Sequence, residues 1–108
     1  MAQRVAWTET AWRDLERIAD YIAEDSPGYA AALVRRVRDR ARSLEEMAER
    51  GRVVPELEEP PVRELIVGSY RLIYEIDGAD VNILGLIHGA RDLAALWNKE
   101  DHSEPGAR

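Results

Sequence analysis

Six side chains in the C-terminal half of the chain are of types that can do chemistry together: Arg63, Tyr70, Arg71, Tyr74, His88 and Arg91. Arginines stabilise charge that develops in a transition state, and a histidine carries a proton near neutral pH. Each residue also has a plainer use. Tyr70 and Tyr74 suit a core that leaves their hydroxyls at the sheet rim. Arg63 is expected to pair with an acidic connection, and Arg71 to bridge Glu64 or Glu75 across strands. His88, at a strand end ahead of Gly89 and Ala90, can hydrogen-bond backbone and fix the next turn. There is no glycine-rich phosphate loop, nucleophile elbow or metal-ligand spacing, so neither a metal nor a cofactor is expected. His102 lies in the polar tail and is given no role.

These residues sit on the stretch Arg63–Arg91, RELIVGSYRLIYEIDGADVNILGLIHGAR, which reads as three short antiparallel strands. Gly68-Ser69 suits a two-residue hairpin turn and Asp77-Gly78 marks the next reversal. Tight turns put Val67 opposite Tyr70, Leu65 opposite Leu72, Arg63 opposite Tyr74, Ile76 opposite Val81, Tyr74 opposite Ile83 and Tyr70 opposite Ile87. Alternation then gathers Leu65, Val67, Tyr70, Leu72, Tyr74, Ile76, Val81, Ile83 and Ile87 on a core face. The other face collects Glu64, Ile66, Arg71, Ile73, Glu75, Asn82, Leu84, Leu86 and His88, unless a one-residue bulge swaps part of the set. Ile66, Ile73, Leu84 and Leu86 form an apolar patch on it that needs a cover. A short helix over Asp92–Lys99 carrying Leu93, Leu96 and Trp97 is one option, and a partner chain is the other.

Upstream, Arg4–Trp7 is a strand candidate. Thr8 offers a helix cap, and Ala11, Leu15, Ile18, Ala19 and Ile22 recur at helical spacing to about Glu24, with Trp12 beside that stripe. Ser26-Pro27 restarts the helix. Leu33, Val34, Val37, Ala41, Leu44 and Met47 continue as a second stripe, expected to end near Arg50 with Gly51 as the stop. Two helices so closely linked pack as a hairpin. Arg52–Pro61, with three prolines and an acidic cluster at Glu56, Glu58 and Glu59, reads as an ordered connection. The expectation is an α+β fold of order β-α-α-β-β-β, an antiparallel sheet packed on an N-terminal helical hairpin. Residues 1–99 are read as one domain and 100–108 as a flexible tail.

The chain has 108 residues, enough for one core. Its net charge of −6 argues against a surface that grips nucleic acid as a whole. Basic residues nevertheless crowd one helix, at Arg35, Arg36, Arg38, Arg40 and Arg42, either as a solvated face or as a docking stripe for an acidic partner. No stretch approaches a membrane span, no signal-peptide pattern is present, and cysteine is absent, all of which fit a reducing cytoplasm.

The element order, together with GRVVPEL, RELIVGSYRLIY and the closing IHGARDL, resembles the ParE branch of the RelE/ParE toxin superfamily from about Val5 to Leu93. The resemblance implies the toxin of a bacterial type II toxin–antitoxin pair, of the kind associated with plasmid stabilisation and growth arrest. Its partner would be a ParD-like antitoxin with a ribbon-helix-helix DNA-binding half and a disordered half that wraps the toxin. That would make nucleic acid an indirect partner only. The antitoxin would follow the hairpin beside Arg35, Arg38 and Arg42 and the sheet's uncovered patch of Ile66, Ile73, Leu84 and Leu86. Arg63, Arg71, His88 and Arg91 would mark the functional face. ParE-type toxins poison DNA gyrase by binding, without turnover. RelE-type relatives cut messenger RNA in the ribosomal A site, a role for which Arg71, His88 and Arg91 would be the catalytic set here. The companion lysines are missing, since Lys99 is the only lysine, and no tyrosine follows the last strand. These features favour the gyrase branch over the endoribonuclease, with a non-toxic antitoxin-binding adaptor as a third reading.

Overall fold

The computed structural model describes residues 2–57 and 61–90. Glu58, Glu59, Arg91, the helix expected over 92–99 and the tail 100–108 lie outside the described residues. In chain order the elements are β1 (Arg4–Trp7), α1 (Glu9–Ala23), α2 (Pro27–Ser43), a 3-10 turn (Ala48–Arg50), β2 (Arg52–Val53), β3 (Val62–Val67), β4 (Tyr70–Asp77) and β5 (Asp80–His88). The strands form one five-stranded sheet in the order β1-β5-β4-β3-β2. Neither described helix is long and apolar enough to cross a membrane.

Both helices start where the sequence places them. Thr8 accepts a hydrogen bond from the Ala11 N–H at 3.1 Å, and Ser26 accepts from Tyr29 at 3.2 Å with Pro27 next. Ala11 and Leu15 of α1 and Ala30, Leu33, Val37 and Ala41 of α2 are buried. The helix ends differ from expectation at α2, which stops at Ser43 rather than near Arg50. Leu44 is fully buried at the cap, while Met47 is 56% exposed and outside the apolar stripe. Glu45 and Glu46 would sit unfavourably at the negative end of a longer helix, and the Ser43 hydroxyl bonds the Arg40 carbonyl at 2.6 Å. The chain then turns, and Arg52–Val53, expected as connection, pairs antiparallel with Arg63–Glu64.

The sheet is mixed rather than antiparallel, because β1 lies parallel to β5, with Val5 opposite Val81 and Trp7 opposite Ile83. Both helices and three strands lie between β1 and β5 in the chain, a connection long enough for the parallel sense. The β3–β4 register is as expected, from Val67 opposite Tyr70 to Arg63 opposite Tyr74. Gly68 supplies the positive φ of +60° that this tight turn requires.

The β4–β5 register holds from Ile76 opposite Val81 to Tyr74 opposite Ile83, then slips by one residue. Ile73 lies opposite Gly85, leaving Leu84 as the extra residue of a bulge, and Tyr70 faces His88 rather than Ile87. Leu86 therefore belongs to the helix-facing core with Leu72, Tyr74 and Ile83, while Ile87 joins Ile73 and Leu84 on the other side. Asp14 of α1 explains where the slip falls: its carboxylate accepts the Leu86 N–H at 3.1 Å. The apolar patch on that second side is covered in part by the chain's own connection, since Val54 and Val62 are buried in it and Leu57 packs against it.

Candidate functional site

Arg71 stands on the side of the sheet away from the helices, opposite Ile66 on β3 and Ile87 on β5. Only 5% of it is exposed. Its Nε donates to Glu64 at 2.6 Å, and its two terminal nitrogens donate to the two oxygens of Glu56 at 2.9 and 2.8 Å. Glu64 is itself buried and also pairs with Arg52. A buried guanidinium is costly unless its charge is met and its donors are used, and this planar fork uses them against two carboxylates. The bond from Glu56 raises the Arg71 pKa most, burial works against it, and Glu64 adds a further rise. Arg71 thus bridges Glu64, as one sequence reading expected, while Glu75 turns to Asn82 at 3.1 Å.

Tyr74 is fully buried on the helix-facing side. Its hydroxyl donates to the Ala48 carbonyl at 2.7 Å and accepts the Gly51 N–H at 3.0 Å, tying β4 to the turn after α2. Burial pushes the phenol's pKa up, and the Gly51 N–H partly offsets this. Gly51 is obligatory here, because a Cβ would come within 2.5 Å of that hydroxyl and 2.6 Å of the Glu64 carbonyl. Arg63, opposite Tyr74, donates to the Gly51 carbonyl at 2.7 Å and the Glu49 carbonyl at 3.4 Å. Among the described residues, Arg63 thus clamps backbone rather than an acidic side chain, and Glu58 and Glu59 of the acidic connection lie outside them.

His88 is the main correction to the expected site. The bulge moves it away from the Arg71 face to stand opposite Tyr70, edge-on to that ring with centroids 5.6 Å apart. Its Nδ1 accepts the Ala90 N–H at 3.2 Å, so it fixes the turn after β5. Arg63, Tyr74 and His88 thus share the helix-facing side, and Arg71 stands alone of the described set on the other. Among the described residues, then, His88 and Arg71 do not converge. Among the described residues no group of His, Asp and Glu has metal-holding geometry.

The residues expected at a partner surface are also divided. Arg35, Arg38 and Arg42 are exposed on α2, and Ile66 is 50% exposed. Ile73 and Leu84 are buried beneath the connection, and Leu86 is buried in the helix-facing core. Arg40 reaches across to the Ile66 carbonyl at 2.9 Å. Arg38 lies 5.9 Å over the ring of Trp12, which stacks on Trp7 with centroids 4.6 Å apart. This aromatic pair was not singled out from the sequence as a surface. The available signal was Trp7 on an edge strand with a second tryptophan one helical turn into α1.

A family described as ParE toxin of the type II toxin–antitoxin system, parDE, matches residues 5–93. Toxin RelE2 of Caulobacter vibrioides is 40% identical over 92 residues, spanning 84% of this chain and 99% of that protein. The fold is similar to the chromosomal ParDE system of P. aeruginosa, with a TM-score of 0.67 at 26% identity, covering 81% of this chain and 96% of that one. It is also similar to the toxin–antitoxin complex RelBE2 of Mycobacterium tuberculosis, with a TM-score of 0.57 at 29% identity over 84% and 95% of the two chains. The RelE–RelB complex of Pyrococcus horikoshii shares the fold, with a TM-score of 0.57 at 20% identity over 85% and 100% of the two chains.

Proposed function

Because this chain belongs to the ParE toxin family of type II toxin–antitoxin systems, we propose that it arrests bacterial growth by binding and poisoning DNA gyrase in the cytoplasm. A ParD-like antitoxin with a ribbon-helix-helix half neutralises it, and residues 1–99 make up the toxin domain. The observation that carries binding over turnover is the state of Arg71. Its charge is spent on Glu56 and Glu64, and His88 is on the opposite side of the sheet. A ribonuclease needs cations facing a phosphate and a group to move a proton.

Purified toxin at micromolar concentration should inhibit gyrase supercoiling and accumulate cleavage complexes. Supercoiling that proceeds unchanged overturns the target. The RelE-like reading is favoured by the name of the relative at 40% identity and by the likeness to the RelBE2 complex. It predicts ribosomal A-site cleavage that disappears in Arg71→Ala or Arg91→Ala. Expression with and without the neighbouring gene product separates either toxin from an inert adaptor, which would not arrest growth.

A further inference from the structure

The arginines of this chain fall into two groups. Arg4, Arg13, Arg17, Arg42, Arg52 and Arg71 each meet a carboxylate within ion-pair distance. Arg35, Arg36, Arg38, Arg40, Arg50 and Arg63 meet none among the described residues, and all six lie on α2, the turn after it or β3. Acid is not scarce, with 21 acidic side chains in the chain against 15 basic ones. The sorting is therefore one of position.

Two of the second group share one face of α2. Arg36 and Arg40 are one helical turn apart, about 6 Å along the axis. Arg40 spends one donor on the Ile66 carbonyl at 2.9 Å. The Arg36 guanidinium lies over the β3–β4 turn, with Nη1 3.6 Å from where a Cβ on Gly68 would stand. Both are thus laid along the sheet edge, and a guanidinium has five N–H donors, so most remain to be used. Arg38 points elsewhere, over the ring of Trp12. The row ends at exposed Tyr29, two turns before Arg36, and at the exposed acids Glu45, Glu46 and Glu49 beyond Ser43. Arg50 and Arg63 stand near Tyr74 together with Glu49, so they are not counted in it.

Charge and shape together select the occupant. The apolar groove beside α2 lies on its other face, at Trp7, Trp12 and Arg38. Next to Arg36 and Arg40 are instead Gly68 and Ser69 of an exposed polar turn. An acidic peptide needs apolar anchors to offset the cost of ordering it. A nucleic-acid backbone brings its charges already spaced on a stiff support, one per about 3.4 Å of each strand. Two guanidinium groups one helical turn apart span roughly two such steps, and their planar forks fit phosphate oxygens.

We propose that the Arg36–Arg40 face of α2, beside the β3–β4 turn, is a contact surface for the phosphate backbone of a duplex nucleic acid, engaged without regard to sequence. The net charge of −6 keeps the rest of the surface from joining in. The contact is weak by itself and adds to the hold of any assembly that already carries the duplex. It goes beyond the gyrase reading and stands without it.

The test titrates the full chain into labelled duplex DNA and duplex RNA of arbitrary sequence and follows anisotropy at several low salt concentrations. Binding in the range of about 10⁻⁴–10⁻⁶ M is expected, falling as salt rises. Binding of either duplex supports the surface and names the nucleic acid. In a plot of log affinity against log salt, Arg36→Gln should make the slope shallower by about one, and Arg36→Gln with Arg40→Gln by about two. Arg38→Gln, on the other face of α2, and Tyr29→Ala, which removes no charge, should leave the slope unchanged. If Arg40→Gln fails to fold, Arg36→Gln carries the test alone, since only an exposed side chain is altered. No binding of either duplex, a slope that Arg36→Gln leaves unchanged, or an equal change in Arg38→Gln overturns the proposal. Tighter binding of polyglutamate than of either duplex also overturns it, in favour of an acidic polypeptide. Gyrase is absent from the assay, so a failed gyrase reading and a failed contact surface are distinguished.

Discussion

On the side of the sheet that faces α1 and α2, Leu65, Val67, Leu72, Val81, Ile83 and Leu86 meet apolar helix stripes, and the polar ties, among them Tyr74, Arg63 and Asp14, go to neutral backbone groups. The opposite side has a smaller cluster of Val54, Val62, Ile73, Leu84 and Ile87, and beside it the ion network of Arg52, Glu56, Glu64 and Arg71. The first side is held by area removed from water, which tolerates modest changes of shape. The second is held by charges that are safe only as a set, because removing one member strands another in a dry environment. An arginine on an apolar sheet face looks like machinery in a sequence. Here it is an internal strut.

The largest expected effect breaks that strut. Glu64→Ala leaves Arg71 and Arg52 without their shared acid and should cost about 3–5 kcal/mol in denaturant unfolding, as for other buried ion pairs that lose one partner. A loss below about 1 kcal/mol would mean that Arg71 is solvated after all. Leu86→Ala tests the bulge: burial against the helices predicts a loss of about 2–5 kcal/mol, whereas a regular register would put Leu86 on the outer face and make the change mild. The control Ile66→Ala, at a half-exposed position, should stay within about 0.5 kcal/mol.

Tyr74→Phe sharpens the comparison from the helix side. It strands the Gly51 N–H and the Ala48 carbonyl and should cost about 1–3 kcal/mol. The Tyr74 pKa is raised above its ordinary 10.0 by burial, so its contribution is complete below about pH 10 and declines as pH rises through the folded value. Wild type should therefore lose stability above about pH 10 more steeply than Tyr74→Phe, measured by urea midpoint against pH. The smallest effect is expected for His88→Ala, about 0.5 kcal/mol, since one exposed turn bond is lost. Growth arrest should survive that change, and its loss in a folded His88→Ala protein would return the histidine to the functional set.

Much of this architecture was readable from local chemistry. The caps at Thr8 and Ser26, the apolar stripes and the turn at Gly68 each act over a few residues, so the sequence displays them directly. The β3–β4 pairing followed from one turn and strict alternation. Past Leu84 the same counting failed, because period-two alternation does not say which residue is doubled. That choice rests on Asp14, far away in the chain, meeting the Leu86 N–H.

By itself, then, the sequence determined the two helices and four of the five strands in order, the helix-facing core up to the bulge and the family to which the chain belongs. Only the tertiary structure decided the partners of its charged groups. It returned β1 parallel beside β5, moved His88 to the Tyr70 side and enclosed Arg71 between two carboxylates. Helix stripes and turns are set by neighbours in the chain. Ion pairs, bulges and open edges are set by neighbours in space, and no spacing in the sequence encodes those distances.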